Sequence, residues 1–300
     1  MKRDSILSTS FFRSLIKLTR VGNLVIIALT QYFTAGFLIG MHTLNDLKLL
    51  LLSISTILIA AGGYVINDYY DVKIDYINKP NRVVIGKIIS RRYAILFHVL
   101  LSTIGIALGI YLSLGIGLVN AVSVFLLWLY SNNLKRLPFI GNVTVAFLTG
   151  LAVIVVDLFY RTNNSLVIIY ALFAFFITLV REVIKDMEDL KGDNSFGCKT
   201  LPIIWGIRKT KLLLYIILVA FAGIVVVLNQ LYRALPFKYH LIFLFVPLLW
   251  LLYRLIRADM KKDFTRLSIF CKVIMLLGIL SMAFMCVTYS LLSLQHCKTK

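Results

Sequence analysis

Long apolar runs separated by short polar connections recur along the whole chain. A helix crosses the bilayer core with about 20 apolar residues, and runs of that kind are read by length and freedom from charge. They are Leu24–Gly40, Leu47–Ile66, Tyr93–Leu112, Leu114–Tyr130, Phe139–Val156, Leu166–Ile184, Leu212–Leu228, Tyr239–Ile256 and Ser268–Leu292. The pattern predicts an all-α, polytopic transmembrane bundle of about nine helices. Almost nothing joins the third run to the fourth, which predicts a tight antiparallel pair. No long polar linker interrupts the series, so residues 1–300 read as a single membrane domain. Ahead of the first run, Phe11, Phe12, Leu15 and Ile16 lie among basic residues without a small-residue cleavage site. This reads as an interfacial amphipathic helix rather than a signal peptide.

Composition agrees. Hydrophobic residues make up 60% of the chain and charged residues 15%, with a mean hydropathy of +0.90, too little polarity to cover a soluble domain. The net charge of +19 would ordinarily point to nucleic acid. Here the charges sort by side instead. With the spans above, 26 of the 32 Lys and Arg share one side with the N-terminus, leaving Lys48, Arg161, Arg233, Lys238, Lys298 and Lys300 on the other. The positive-inside rule makes the basic side cytoplasmic. The expectation is a multi-pass protein of the cell (inner) membrane, in contact with membrane lipids, with no nucleic-acid partner and no obligate protein partner. Cysteines (Cys198, Cys271, Cys286, Cys297) and histidines (His42, His98, His240, His296) show no metal-ligand spacing and read as structural or incidental.

The 13 acids carry the sharper signal. Eight of them fall in two connections on the basic side: Asp68, Asp71 and Asp75, then Glu182, Asp186, Glu188, Asp189 and Asp193. Each connection contains three aspartates spaced by three and then four residues, which on a helix stacks them along one face. Like charges so placed repel unless a cation lies between them. Gly192 suggests that the second cluster leaves regular helix near its end. Mg²⁺ takes one or two carboxylates with phosphate oxygens and water, so two facing clusters suit Mg²⁺ around a diphosphate. Lys73, Lys79, Arg82, Arg181, Lys185 and Lys191 lie close by to clamp further phosphate oxygens. Asn67 offers either a polar ligand or a helix cap.

At these two motifs the chain resembles the UbiA superfamily of intramembrane prenyltransferases. Asn67, Asp68, Asp71 and Asp75 match its N-D-x-x-D-x-x-x-D pattern, and Asp186, Asp189 and Asp193 match the second motif of one of its branches. Y-I-N-K-P-N-R after the first motif, Y-S-N-N-L-K-R at Tyr130–Arg136 and R-E-V-I-K-D-M-E-D-L-K-G-D at Arg181–Asp193 look most like the branch that makes digeranylgeranylglyceryl phosphate. The family's Arg-Pro-x-Asn stands here as Arg20-Val21-Gly22-Asn23, and its Arg-Pro and Ser-Gly as Arg82-Val83 and Ile85-Gly86.

The resemblance implies a helix bundle with two Asp-rich cytoplasmic loops capping a central cavity. It implies Mg²⁺-dependent transfer of a prenyl group from an isoprenyl diphosphate, geranylgeranyl diphosphate in that branch, to a lipid acceptor, geranylgeranylglyceryl phosphate. Asp68, Asp71, Asp186 and Asp189 would hold the metal, with Asp75 and Asp193 as further catalytic acids. Asn67, Arg82, Lys135, Lys185, Tyr130 and Asn23 are the substrate-binding candidates, and Tyr69, Tyr70 and Tyr130 offer π faces to an allylic cation. Two alternatives stand beside this reading. One is prenylation of an aromatic quinone precursor; the other is a cation transporter, against which the acids sit at span ends rather than at the midplane.

Overall fold

The computed structural model describes residues 13–232 and 244–298, and nearly all of them are helical. A short helix over residues 13–19 precedes α1 (Val21–Ile39), α2 (Leu47–Asn78), α3 (Arg91–Leu112), α4 (Leu114–Asn132), α5 (Ile140–Tyr160), α6 (Ser165–Ser195), α7 (Leu201–Tyr232), α8 (Val246–Ile256) and α9 (Lys261–Lys298). Among the described residues, eight helices are long and apolar enough to cross a membrane; α8, at 11 residues, is shorter. The run expected at Tyr239–Ile256 begins outside the described residues, as do Phe11 and Phe12 of the expected interfacial helix.

Helices α2 and α6 are 32 and 31 residues long, so α2 measures about 48 Å at 1.5 Å per residue. The hydrocarbon core is about 30 Å thick. Their apolar runs end at Ile66 and Ile184, and the helices continue for three further turns as polar sequence.

By internal contacts the chain forms two compact units. The first comprises residues 1–28, 50–144 and 189–200. In it α2, α3 and α4 approach closely through small residues, the usual way for helices to associate where lipid is as apolar as leucine. A Cβ at Gly105 of α3 would stand 2.7 Å from the Ile59 side chain and 3.1 Å from the Ser55 carbonyl of α2. Asn120 of α4 donates to Ser55 Oγ at 2.7 Å and to the Gly105 carbonyl at 3.0 Å, so one buried amide ties three helices. His98 Nδ1 lies 3.0 Å from the Gly62 carbonyl. The expected tight pair is α3–α4: extended Ser113 alone joins them, and its hydroxyl accepts the Ile116 N–H at the start of α4.

The second unit comprises residues 29–49, 145–188 and 201–300. Here Gln31 of α1 donates to the Ala152 carbonyl of α5, and Tyr170 of α6 pairs with Ser281 of α9 at 3.0 Å. Phe173 and Phe176 of α6 pack on Phe221 of α7, with centroids 5.9 and 5.1 Å apart. Cys271 is a buried free thiol of this unit, and Cys198 is one of the first unit.

Candidate active site

Both aspartate triplets, which fall in connections between the apolar runs and are spaced for one helix face, lie on helices. Asp68, Asp71 and Asp75 occupy the last turns of α2, and Asp186, Asp189 and Asp193 the last turns of α6. The break expected at Gly192 does not occur; α6 runs through it to Ser195. The glycine serves a different end. A Cβ there would fall 2.4 to 2.6 Å from the side-chain amide of Asn78, the final residue of α2. Asn78 Nδ2 donates to the Asp189 carbonyl at 2.9 Å, and its Oδ1 accepts the Gly192 N–H at 2.9 Å. Next in sequence, Lys79 donates to Asp189 Oδ2 at 2.8 Å. Residues more than a hundred positions apart thereby join within the first unit.

Each of three aspartates meets one cation. Arg20 Nη2 donates to Asp68 Oδ1 at 2.6 Å, Lys79 pairs with Asp189, and Lys135 pairs with Asp71 Oδ2, which also accepts Asn67 Nδ2 at 2.8 Å. These cations are fixed by local structure. Leu18 of the helix 13–19 packs with Val65, Val84, Ile85, Ile89 and Ala94, which anchors both the approach to Arg20 and the loop after α2. Arg20 adopts φ 53°, a left-handed conformation uncommon outside glycine, at the break between that helix and α1. Its guanidinium also lies 4.8 Å from the Tyr64 ring centre, and Asn23 donates to the Tyr64 hydroxyl at 3.2 Å. Lys135 is held in the 3₁₀ turn Leu134–Arg136 that follows α4.

The electrostatics of these cations follow from their surroundings. Burial alone would lower the Arg20 and Lys135 values, but the charge of Asp68 on Arg20, and of Asp71 on Lys135, outweighs it and raises both. Both cations therefore stay charged across the physiological range. Tyr130 is a further neighbour that acts on Lys135. Arg82 is exposed and stands within the field of Arg20, Asp68, Asp75 and Asp189. Asp75 feels Asp71, Lys135, Asp68 and Arg20, while Asp193 is buried and its carbonyl accepts the Cys198 N–H at 3.0 Å.

The remaining candidates have these partners and positions. Lys185 pairs with Glu182 at 3.2 Å, and Asp186 stands on α6 three residues before Asp189. Tyr69 packs toward the Leu18–Val65–Ala94 cluster and under Arg91, 5.1 Å from its ring centre. Sequence reasoning missed Asn78 as the joint and treated Arg20 only as part of a pattern. The clue to Arg20 was its place in Arg20-Val21-Gly22-Asn23, and the clue to Asn78 its place in Y-I-N-K-P-N-R.

Among the described residues, no three carboxylate, imidazole or thiol groups converge to hold an ion by themselves. The donor chemistry nevertheless fits a divalent ion that brings phosphate oxygens of its own. Asn67 Oδ1 and Asp189 Oδ1 are buried oxygens without a hydrogen-bond partner, beside aspartates already oriented by cations. Hard oxygen acceptors left without donors are what Mg²⁺ takes.

Residues 29–274 match the UbiA prenyltransferase family. The chain is 40% identical over 214 residues to the digeranylgeranylglyceryl phosphate synthase of Saccharolobus solfataricus, covering 69% of this chain and 75% of the relative. To the synthase of that name from Methanosphaera stadtmanae it is 34% identical over 244 residues, covering 81% and 89%. A solved structure of a digeranylgeranylglyceryl phosphate synthase superposes with TM-score 0.71 at 24% identity, covering 92% of this chain and 99% of that one. A UbiA homologue from Archaeoglobus fulgidus bound to GPP and Mg²⁺ superposes with TM-score 0.60 at 16% identity, covering 90% and 99%. At these identities the structures establish a shared fold.

Proposed function

The chain belongs to the UbiA prenyltransferase family and is a multi-pass membrane prenyltransferase; we propose that it transfers a geranylgeranyl group from geranylgeranyl diphosphate to geranylgeranylglyceryl phosphate. The observation that carries this reading is the joint of Asn78 and Lys79 onto Asp189, which makes one site of two aspartate segments. The names of the 34–40% identical relatives support the lipid acceptor.

In this reading the allylic C–O bond breaks, diphosphate leaves with the electron pair, and the acceptor hydroxyl forms an ether bond to the prenyl carbon with loss of its proton. Bound Mg²⁺ supplies charge neutralisation of the leaving diphosphate. Asp68, Asp71, Asp186 and Asp189, with Asn67, are the residues that would hold it. Asp75 and Asp193 set the negative field behind them. Arg20, Lys79 and Lys135, oriented by their aspartates, and Arg82 in the adjoining loop, turn toward diphosphate oxygens the metal does not reach. Tyr130 and Asn23 orient Lys135 and Tyr64 at the edges of the site. The site and the N-terminus face the cytoplasm, in keeping with the basic excess on that side.

The decisive experiment uses purified protein in nanodiscs with Mg²⁺, geranylgeranyl diphosphate, and either geranylgeranylglyceryl phosphate or an aromatic acid. The expected outcome is diphosphate release and ether-lipid formation with the glycerol lipid. Absence of release with every pair would sink the prenyl-transfer reading, and preferred turnover of the aromatic acid would replace the acceptor.

A further inference from the structure

A second charged patch on α6 directly precedes Asp186 and Asp189 in sequence. On α6, Thr178, Arg181, Glu182 and Lys185 follow the i, i+3, i+4, i+7 spacing of a single helix face, at the end of the apolar run that closes at Ile184. Glu182 is 6% exposed, and its carboxylate is shared between two cations. Arg181 Nη1 donates to Oε1 at 2.5 Å and Lys185 Nζ to Oε2 at 3.2 Å. Two donors on this face are buried with no acceptor: Arg181 Nε, and the hydroxyl of Thr178, a residue 3% exposed. A helical threonine commonly returns its hydroxyl to the carbonyl four residues back, as Thr56 and Thr149 do in this chain; Thr178 does not. Ionisable groups inside a span are costly and mark functional sites. Unused N–H and O–H donors beside two cations call for an anion.

We propose that this face of α6 binds the phosphomonoester of the lipid acceptor. Arg181 and Lys185 supply the counter-charges, the Thr178 hydroxyl supplies a further donor, and Glu182 is a positioning residue that holds the two cations one turn apart against their repulsion. The inference rests on the prenyl-transfer reading and sharpens it, since it moves Lys185 from the donor diphosphate to the acceptor. A phosphomonoester fits better than the alternatives on charge. The carboxylate of an aromatic acid needs only one such cation, and the donor diphosphate already has Arg20, Lys79, Arg82 and Lys135. Arg181 presents Nε–H and an Nη beside it, the planar fork that suits phosphate.

The test compares binding of geranylgeranylglyceryl phosphate, of its phosphate-free alcohol and of geranylgeranyl diphosphate to protein in nanodiscs. Wild-type protein should prefer the phosphorylated lipid by roughly tenfold or more, the scale of charge-assisted hydrogen bonds. Arg181→Gln should erase that preference while changing affinity for geranylgeranyl diphosphate by less than about twofold, which also reports that the variant is folded. Thr178→Val, which removes only the hydroxyl, should lower the preference by about threefold. Glu182→Gln should raise the acceptor KM more than it lowers kcat. Equal wild-type binding of the two glycerol lipids would overturn the proposal. So would an Arg181→Gln protein that keeps its preference, or one that loses the diphosphate as heavily as the acceptor. Failure of prenyl transfer itself would look different: no diphosphate release by wild-type protein with any acceptor.

Discussion

The two aspartate segments have the same 3+4 spacing and the same position at the end of an overlong helix, yet they are held in unlike ways. On α2, Asp68 and Asp71 receive cations from distant parts of the chain, Arg20 and Lys135. On α6, Asp189 receives its cation from the residue that directly follows α2, and its backbone is gripped by Asn78. The first segment is therefore a hub that both collects charges and positions the second. The second is a docked element whose own sequence supplies only the glycine that lets the joint close. Equal spacing in a sequence does not imply equal structural rank.

Substitutions at the aspartates should break this comparison most severely. Asp71→Asn and Asp189→Asn should each lower turnover by about a hundredfold or more, the scale of losing one group that stabilises developing charge. Only Asp71→Asn should also cost stability appreciably, about 2 kcal/mol, because it strands Lys135 against a carboxylate site 6% exposed. Initial rates with thermal melts of both variants check this, and equal melting temperatures would remove the hub from the account.

Next in size is Gly192→Ala. Its methyl group would collide with Asn78, at a cost of about 1–3 kcal/mol. It should undock α6 while leaving the Asp71–Lys135 pair in place. Limited proteolysis near Ser195 should then quicken while the loop after α2 keeps its protection.

Asn78→Ala should act in the same direction more mildly. It removes two hydrogen bonds, each worth about 1 kcal/mol, and turnover should fall by about tenfold. A double variant with Gly192→Ala should be scarcely worse than Gly192→Ala alone, since both break one joint.

The smallest effect is one of pH. Lys135 has its value raised above the ordinary lysine value of about 10.4. A raised value means that the pair's contribution is fully present below the unfolded value and is lost only as pH rises through the folded one. Melting temperature between pH 7 and about pH 10 should therefore show no loss attributable to this pair; a marked fall between pH 8 and 9 would contradict the pairing.

Much of this was legible in the sequence, for a physical reason. Hydropathy reports the solvent a segment faces, so the spans, the α3–α4 pair and the two acidic segments could be read directly. It does not report where a helix stops once it leaves the lipid. The apolar runs end at Ile66 and Ile184, while the helices continue to Asn78 and Ser195, so hydropathy alone assigns the motifs to connections. Gly192 was misleading because glycine usually weakens a helix; here its missing side chain makes room for a partner 114 residues away. Arg20 with Asp68, and Lys135 with Asp71, are pairings across 48 and 64 residues that no local periodicity encodes. Family resemblance supplied the candidate residues, whereas the pairings between them required coordinates.

The overhang of α2 and α6 beyond the apolar core has a consequence for what happens after bond formation. A site at the ends of such helices straddles two phases. In the proposed reaction, a diphosphate released there would partition into water, and an ether lipid with two isoprenoid chains would partition into the bilayer. Solubility alone would then separate the products and oppose their recombination. Shortening the overhang by whole turns would return the diphosphate to the neighbourhood of its lipid co-product. Rate suppression by added diphosphate is the quantity in which that change would first be seen.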